Sequence, residues 1–254
     1  MNKIKLIVTD LDNTLLRRDK TISDYTVDVL RRVRRRGILL AFATARDYRF
    51  VTEHLTPLFA ITPDVIISDN GALARLDGED IYKQLIPMHT ANALLPQFSL
   101  VRCVSTENAY YLSSAYADGH WSLGKQSTRI TDFQNGVPDD VLYLDGNLGK
   151  IASIITEDYP EIRAVSYSDT NSVTMVHREA SKLNALKAVQ RALHLTSSEF
   201  AAFGDDYSDI EMLSYCGHRI AMSNAIDEVK AAANDICGDC DEDGVAQWLE
   251  KNLL

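Results

Sequence analysis

Acidic residues gather where two apolar runs stop. Asp10 and Asp12 follow the run at residues 3–9, and Asp205 and Asp209 follow the run at 200–203, within Gly204-Asp205-Asp206-Tyr207-Ser208-Asp209. A lone Asp at a strand end usually serves as a turn residue or a helix cap. A set that can converge has another use, because carboxylates brought together repel and raise one another's pKa unless a cation sits among them. Oxygen donors with no His or Cys suit Mg2+, which keeps several waters and shares its coordination sphere with phosphate. Thr44 ends another apolar run at 38–43, and Lys182 follows Ser181 at the head of a helical pattern. Ser181 is an N-cap residue type, and a cation in a first helical turn opposes the macrodipole, an arrangement that makes sense beside an anion.

For these residues to meet, the elements must end at one sheet edge. In open α/β sheets, binding sites lie beyond the carboxyl ends of the strands. The pattern predicts strands at 3–9, 38–43 and 65–68. Between them it predicts a helix capped by Ser23 and running to Arg36, with Val27, Leu30 and Val33 on one face, and a helix over 47–55. Alternation of this kind implies right-handed crossovers and a parallel sheet. After Asn70-Gly71, apolar runs at 72–76 and 81–85 flank Asp77-Gly78, a hairpin signal. The texture then shortens and mixes, with strands expected at 101–105, 110–113, 151–155 and 172–176. From Ser181 the α/β rhythm returns: a helix with Ala185, Leu186, Val189 and Leu193, a strand at 200–203, a helix from Ile210, a strand at 219–222, and helices at 227–233 and 245–249. The expected fold is α/β, a doubly wound and mostly parallel sheet. Residues 1–85 and 178–254 would form its core, and 86–177 an inserted α+β cap domain.

Composition narrows the partners. The chain has 254 residues, 46% of them hydrophobic, and a net charge of −10. That charge disfavours nucleic acid and anionic membrane surfaces. No apolar run reaches bilayer-spanning length, and the first residues enter a strand-like run without a leader pattern, so a cytoplasmic location is expected. Arg31, Arg32, Arg34, Arg35 and Arg36 read as the cationic end of a helix stopped by Gly37 rather than as an anion patch. Cys237-Gly238-Asp239-Cys240 has CxxC spacing, but neither Cys103 nor Cys216 nor a His pair completes a zinc set, so a reduced, incidental pair is expected.

Asp10-Leu11-Asp12-Asn13-Thr14 resembles the DxDxT signature of the haloacid dehalogenase-like (HAD) hydrolase superfamily, with Thr44, Lys182 and Gly204–Asp209 resembling its later motifs in order and spacing. Asp69-Asn70-Gly71-Ala72 and Glu242-Asp243-Gly244-Val245-Ala246 resemble the Cof-type branch, whose large type IIB cap lies where this insertion falls. The resemblance implies a Mg2+-dependent phosphatase acting on a small phosphorylated metabolite, such as a sugar phosphate, through an aspartyl-phosphate. It implies Asp10 as nucleophile, Asp12 as acid and then base, and Thr44 and Lys182 as holders of the phosphoryl oxygens, with Asn70 near the phosphate or the cap. The metal would be bound by Asp10, the backbone carbonyl of Asp12 and Asp205, with Asp209 supporting the metal's waters or orienting Lys182. The motifs depart from the family at Ala45, Leu183 and Ser208, none of which removes a charged group. A phosphomutase and a phosphate-sensing protein without turnover stay open as alternatives, and a monomer or small homo-oligomer is expected. Tyr110, Tyr111, Trp121 and His177 are cap residues of the right chemistry for substrate contact, though each also suits core or ordinary surface.

Overall fold

Residues 4–94, 101–107, 109–112, 126–129, 138–144, 152–153, 157–168 and 172–254 are described by a computed structural model. The first strand, β1 (Leu6–Thr9), is wholly buried, as its unbroken apolar run requires for a strand covered on both faces. It leads through helix α1 (Asp24–Arg35) to β2 (Leu39–Ala43). A helical stretch over 48–59, here α2, precedes β3 (Val65–Ser68), and the hairpin β4 (Leu73–Leu76) and β5 (Glu79–Lys83) follows.

The predicted helix at 47–55 is displaced. Asp47 stands ahead of it and accepts the Phe50 N–H through Oδ1 at 3.0 Å. The helix widens into a π-type turn over Phe50–Leu55 and continues through Thr56–Phe59. Pro57 has no N–H to give to the preceding turn, and the widened turn ahead of it absorbs that loss.

Helix α3 (Met88–Leu94) leads into a second sheet built from β6 (Val101–Thr106), β7 (Ala109–Leu112), β8 (Gln126–Arg129), β9 (Pro138–Leu144), β10 (Ile162–Ser166) and β11 (Ser172–His177). The chain then returns through α4 (Lys182–Leu193), β12 (Phe200–Gly204), α5 (Ile210–Tyr215), β13 (His218–Ala221), α6 (Asp227–Ala232), the short β14 (Asp235–Ile236) and α7 (Gly244–Leu253).

The main sheet has the order β14-β13-β12-β1-β2-β3-β4-β5. It is parallel from β14 to β3, and β4 and β5 add an antiparallel edge. Register brings the chemistry together: Thr9 lies opposite Phe203 on one side and Phe42 on the other. The residues that follow, near Asp10, Thr44 and Asp205, therefore leave the sheet at one edge. Leu6, Ile7, Val8, Phe42, Phe200 and Phe203 fill the core around these strands. Each such side chain contributes roughly 1.5–3 kcal/mol by leaving water.

The second sheet, of order β10-β11-β9-β6-β7-β8, is antiparallel except where β7 and β8 run parallel. It has its own apolar cluster, which includes Ile86, Ala91, Leu94, Val104, Val141 and Met175. Helix α3 and strands β8, β9 and β10 were not expected. Pro138-Asp139-Asp140 opens β9 with residues that disfavour strands, and pairing with both β6 and β11 overrides that local preference. Of the strand expected at 151–155, Ala152 and Ser153 are helical and the rest lies outside the described residues, as do Lys3, Ser113 and Trp121.

The arginines at the end of α1 are engaged locally. Arg32 donates to Glu250 at 2.6 Å, Arg34 to Asp64 at 2.6 Å and Arg31 to the Ala60 carbonyl at 3.1 Å. Among the described residues, no helix is long and apolar enough to cross a membrane.

Candidate active site

Lys182 is the first residue of α4. Ser181 caps the helix by accepting the Asn184 N–H at 3.0 Å, and this sends the Lys182 side chain into the sheet edge, where it is buried. Its Nζ donates to Asp10 Oδ1 and to Asp209 Oδ1, both at 2.7 Å. Asp209 uses its other oxygen to accept the backbone N–H groups of Asp205 and Asp206, at 3.0 and 3.2 Å. Asp205 accepts the Thr14 hydroxyl at 2.6 Å. The Asp209 side chain fills the space beside Gly204, where an added Cβ would stand 2.5 Å from it, so only glycine fits.

Carboxylate oxygens of Asp10, Asp205 and Asp209 all lie within 4.8 Å of one another. Lys182 is the ammonium paired with this buried group. Burial pushes the Asp10 carboxyl up to about 7, against the pull of Lys182 and with help from Asp209. Burial, with Asp10 and Asp209 adding to it, pushes Asp205 up to about 8. Burial works against the charge on Lys182, but Asp10 and Asp209 outweigh it and hold the ammonium above its ordinary value. Such a cluster is short of positive charge, and its oxygen donors fit a hard divalent cation.

The Asp12 side chain faces a different set of partners. Arg46 grips it with two parallel hydrogen bonds, Nε to Oδ2 at 2.6 Å and Nη2 to Oδ1 at 2.8 Å, and Lys20 Nζ stands 3.0 Å from Oδ1. The Arg46 guanidinium lies over the Phe50 ring, 4.1 Å from its centre. Burial pushes the Asp12 carboxyl up, but Arg46 and Lys20 prevail and hold it below the usual range.

Thr44 is buried just beyond β2. Its hydroxyl oxygen accepts the Arg46 N–H at 3.1 Å, and its carbonyl accepts the Asn70 N–H at 3.2 Å. The loop carrying Asn70 is strained: Asp69, Asn70 and Gly71 have φ of 52°, 55° and 86°. A left-handed residue other than glycine costs roughly 1–2 kcal/mol. Contacts hold the loop in place. The Asp69 N–H donates to the Arg46 carbonyl at 2.9 Å, and Gly71 presses on the backbone of Ser181 and Lys182, where a Cβ would come within 2.2 Å of Ser181. The Asn70 side chain points toward the second sheet, its Nδ2 donating to the Tyr167 hydroxyl at 2.8 Å.

The structure thus gathers Asp10, Lys182, Asp205 and Asp209, places Thr44 on the adjacent strand end, and sends the Asp12 and Asn70 side chains to other partners. The residues that sequence reasoning did not assign are Thr14, Lys20, Arg46 and Tyr167. Thr14 closes the Asp10–Thr14 motif and Arg46 stands two residues beyond Thr44, so both are readable as polar arms of those turns, whereas nothing local flags Lys20 or Tyr167. Tyr110 reaches across to Asp47, and the His177 Nδ1 accepts the Glu179 N–H at 3.2 Å.

The family profile described as haloacid dehalogenase-like hydrolase matches residues 7–249. This chain belongs to that family. Like this HAD hydrolase in sequence are the 5-amino-6-(5-phospho-D-ribitylamino)uracil phosphatase YitU of Bacillus subtilis, 28% identical over 97% of this chain and 96% of the relative, and the HMP-PP phosphatase of Klebsiella pneumoniae, 25% identical over 96% and 94%. A solved haloacid dehalogenase-like hydrolase from Bacteroides thetaiotaomicron superposes on the HAD chain with a TM-score of 0.86 at 25% identity, covering 98% of this chain and 99% of its own.

A second acidic group in this HAD hydrolase, Asp239, Cys240 and Asp241, is met by Arg18, which donates to Asp239 at 2.9 Å and also pairs with Asp241. Burial pushes the Cys237 and Cys240 thiols up to about 12 and about 11, so neither is a thiolate at neutral pH. Asp243, in the closing motif, accepts Arg17 at 3.0 Å and Thr26 at 3.1 Å, which ties the turn after β1 to the head of α7.

Proposed function

We propose that the chain is a phosphatase that takes the phosphoryl group of a small phosphorylated metabolite onto Asp10 and releases it to water. The observation that carries this reading is the buried group of Asp10, Asp205 and Asp209 closed around Lys182 at the edge of β1 and β12. A carboxylate aimed at phosphorus needs nearby cations, because nucleophile and phosphate repel. Lys182 supplies one at 2.7 Å.

Asp10, the backbone carbonyl of Asp12 and Asp205 would hold Mg2+, while Asp209, with both oxygens already engaged, keeps Lys182 and the 205–206 backbone in place. When bound, the ion supplies the remaining positive charge and lowers the repulsion between Asp10 and the phosphate. Thr44 and Lys182 bind the phosphoryl oxygens. Asp12 must turn out of the Arg46 fork to protonate the leaving oxygen, after which its carboxylate takes a proton from the attacking water. Residues 86–177 act as a cap domain that shelters this chemistry from bulk water and selects the leaving group. The phosphatases YitU and HMP-PP phosphatase, similar over nearly the whole chain, support the reaction class and a small substrate.

The test is phosphate release from a panel of phosphorylated metabolites and p-nitrophenyl phosphate, with Mg2+ and with chelator, alongside acid-quench trapping of phosphoenzyme. Mg2+-dependent release with phosphate trapped on Asp10 is expected. Release that ignores both chelator and Asp10→Asn would overturn the reading, and isomer formation without net release would point to a mutase instead.

A further inference from the structure

A chain of contacts runs from the second sheet to the phosphoryl site. Thr174, on β11, accepts the Tyr167 hydroxyl proton at 3.0 Å. Tyr167 accepts from Asn70 Nδ2 at 2.8 Å. The Asn70 backbone donates to the Thr44 carbonyl, its neighbour Asp69 donates to the Arg46 carbonyl, and Gly71 lies against the first peptide of α4, which presents Lys182. The left-handed run 69–71 therefore touches both elements proposed to bind phosphate, while its Asn70 side chain is held from the side of the other sheet. Tyr167 also packs on a small apolar cluster shared between the sheets, formed by Ala72 of the core with Val165, Val176 and Ala180.

We propose that Tyr167 and Asn70 are positioning residues, through which the seated cap domain fixes the 69–71 loop and, with it, Thr44 and Lys182. The phosphoryl site is then complete only while the cap domain is down, so a small oxyanion that never touches the cap still feels its position. The inference rests on the phosphatase reading for its catalytic meaning, and its physical part stands separately. Loss of the single Tyr167–Asn70 hydrogen bond should weaken the site roughly fivefold to tenfold, the effect of one such bond.

The experiment compares the wild type with Tyr167→Phe and Thr174→Val, and with Tyr25→Phe as a matched phenol removal at a distance, where the hydroxyl meets Glu250. Readouts are inhibition by orthovanadate with Mg2+, kcat and KM for p-nitrophenyl phosphate, melting temperature, and hydrogen exchange of the amides at 44–46 and 69–72. For Tyr167→Phe we expect about fivefold to tenfold weaker orthovanadate binding, kcat lowered by a similar factor, faster exchange at 69–72 and a melting temperature lowered by no more than a few degrees. Thr174→Val should show the same pattern at smaller size, and Tyr25→Phe none of it. Wild-type orthovanadate binding and exchange in Tyr167→Phe would overturn the coupling even if the enzyme is active. A wild type that releases no phosphate, yet shows these exchange and orthovanadate changes on substitution, would sink the phosphatase reading and leave the coupling intact.

Discussion

Asp10 is buried and shares Lys182 with Asp209, whereas Asp12, two positions along, is half-buried and has an arginine fork and a lysine to itself. Burial, with the neighbouring carboxylates adding to it, drives Asp10 and Asp205 toward their neutral forms. The outer site has an excess of it, so its carboxylate stays ionised. On the proposed reading, Asp10 as nucleophile would be held in reserve until charge arrived with a metal. Asp12, if it is to act as the proposed acid, would have to change partners before it carried a proton. The same strand end thus supplies two carboxylates whose charge states are separated by environment rather than by residue type.

Breaking the inner site should have the largest effect. Asp10→Asn removes the proposed nucleophile, and we expect turnover of p-nitrophenyl phosphate to fall by at least about a thousandfold, with no trapped phosphoenzyme. Lys182→Met should lower kcat by roughly a hundredfold or more and also destabilise the protein by roughly 3–5 kcal/mol, since it leaves buried carboxylates without their partner; urea unfolding checks the second part. A Lys182→Met protein as stable as the wild type would show that the inner site is wetter than its burial implies.

The pH dependence of stability should sharpen the contrast. The folded-state pKa values of Asp10 and Asp205 lie above the ordinary 3.8, at about 7 and about 8. Their contribution to metal-free stability is therefore fully present below pH ~4 and is lost as pH rises through 7 and 8. The rise in melting temperature caused by Mg2+ should be greater at pH 8 than at pH 5, and an equal rise at both would contradict this.

The outer site should answer most weakly. Lys20→Ala removes a partly exposed ion pair and should change stability by less than about 1 kcal/mol. Arg46→Gln should alter kcat more than melting temperature, because the fork holds the proposed acid, Asp12, and not the core. The reverse order in a kinetic and thermal comparison would mean that the fork is structural.

The sequence revealed the inner site better than the outer one. Asp10, Lys182, Asp205 and Asp209 each end a strand or open a helix in an α/β rhythm, and parallel pairing then leaves them one edge to share. The Arg46–Asp12 fork depends on the rotamers of two long turn residues, and Lys20–Asp12 on how the loop after β1 folds back; neither follows from periodicity. In the second sheet, β8 and β10 are edge strands and β9 opens on Pro138-Asp139-Asp140, so none shows a strong alternation of its own, and all three gain their order from pairing with neighbouring strands. The Tyr167–Asn70 contact spans both problems, joining a loop to the residue that follows β10 of the other sheet.

The register of β12, β1 and β2 has one more consequence. Adjacent strands stand about 4.8 Å apart, so the three ends that carry Asp205, Asp10 and Thr44 span only ~10 Å. That width accommodates a phosphoryl group and an ion but little of the molecule attached to them. On the proposed function, nearly all of a substrate would project away from the strand ends, and a change of preference would then need no change in the strand ends themselves.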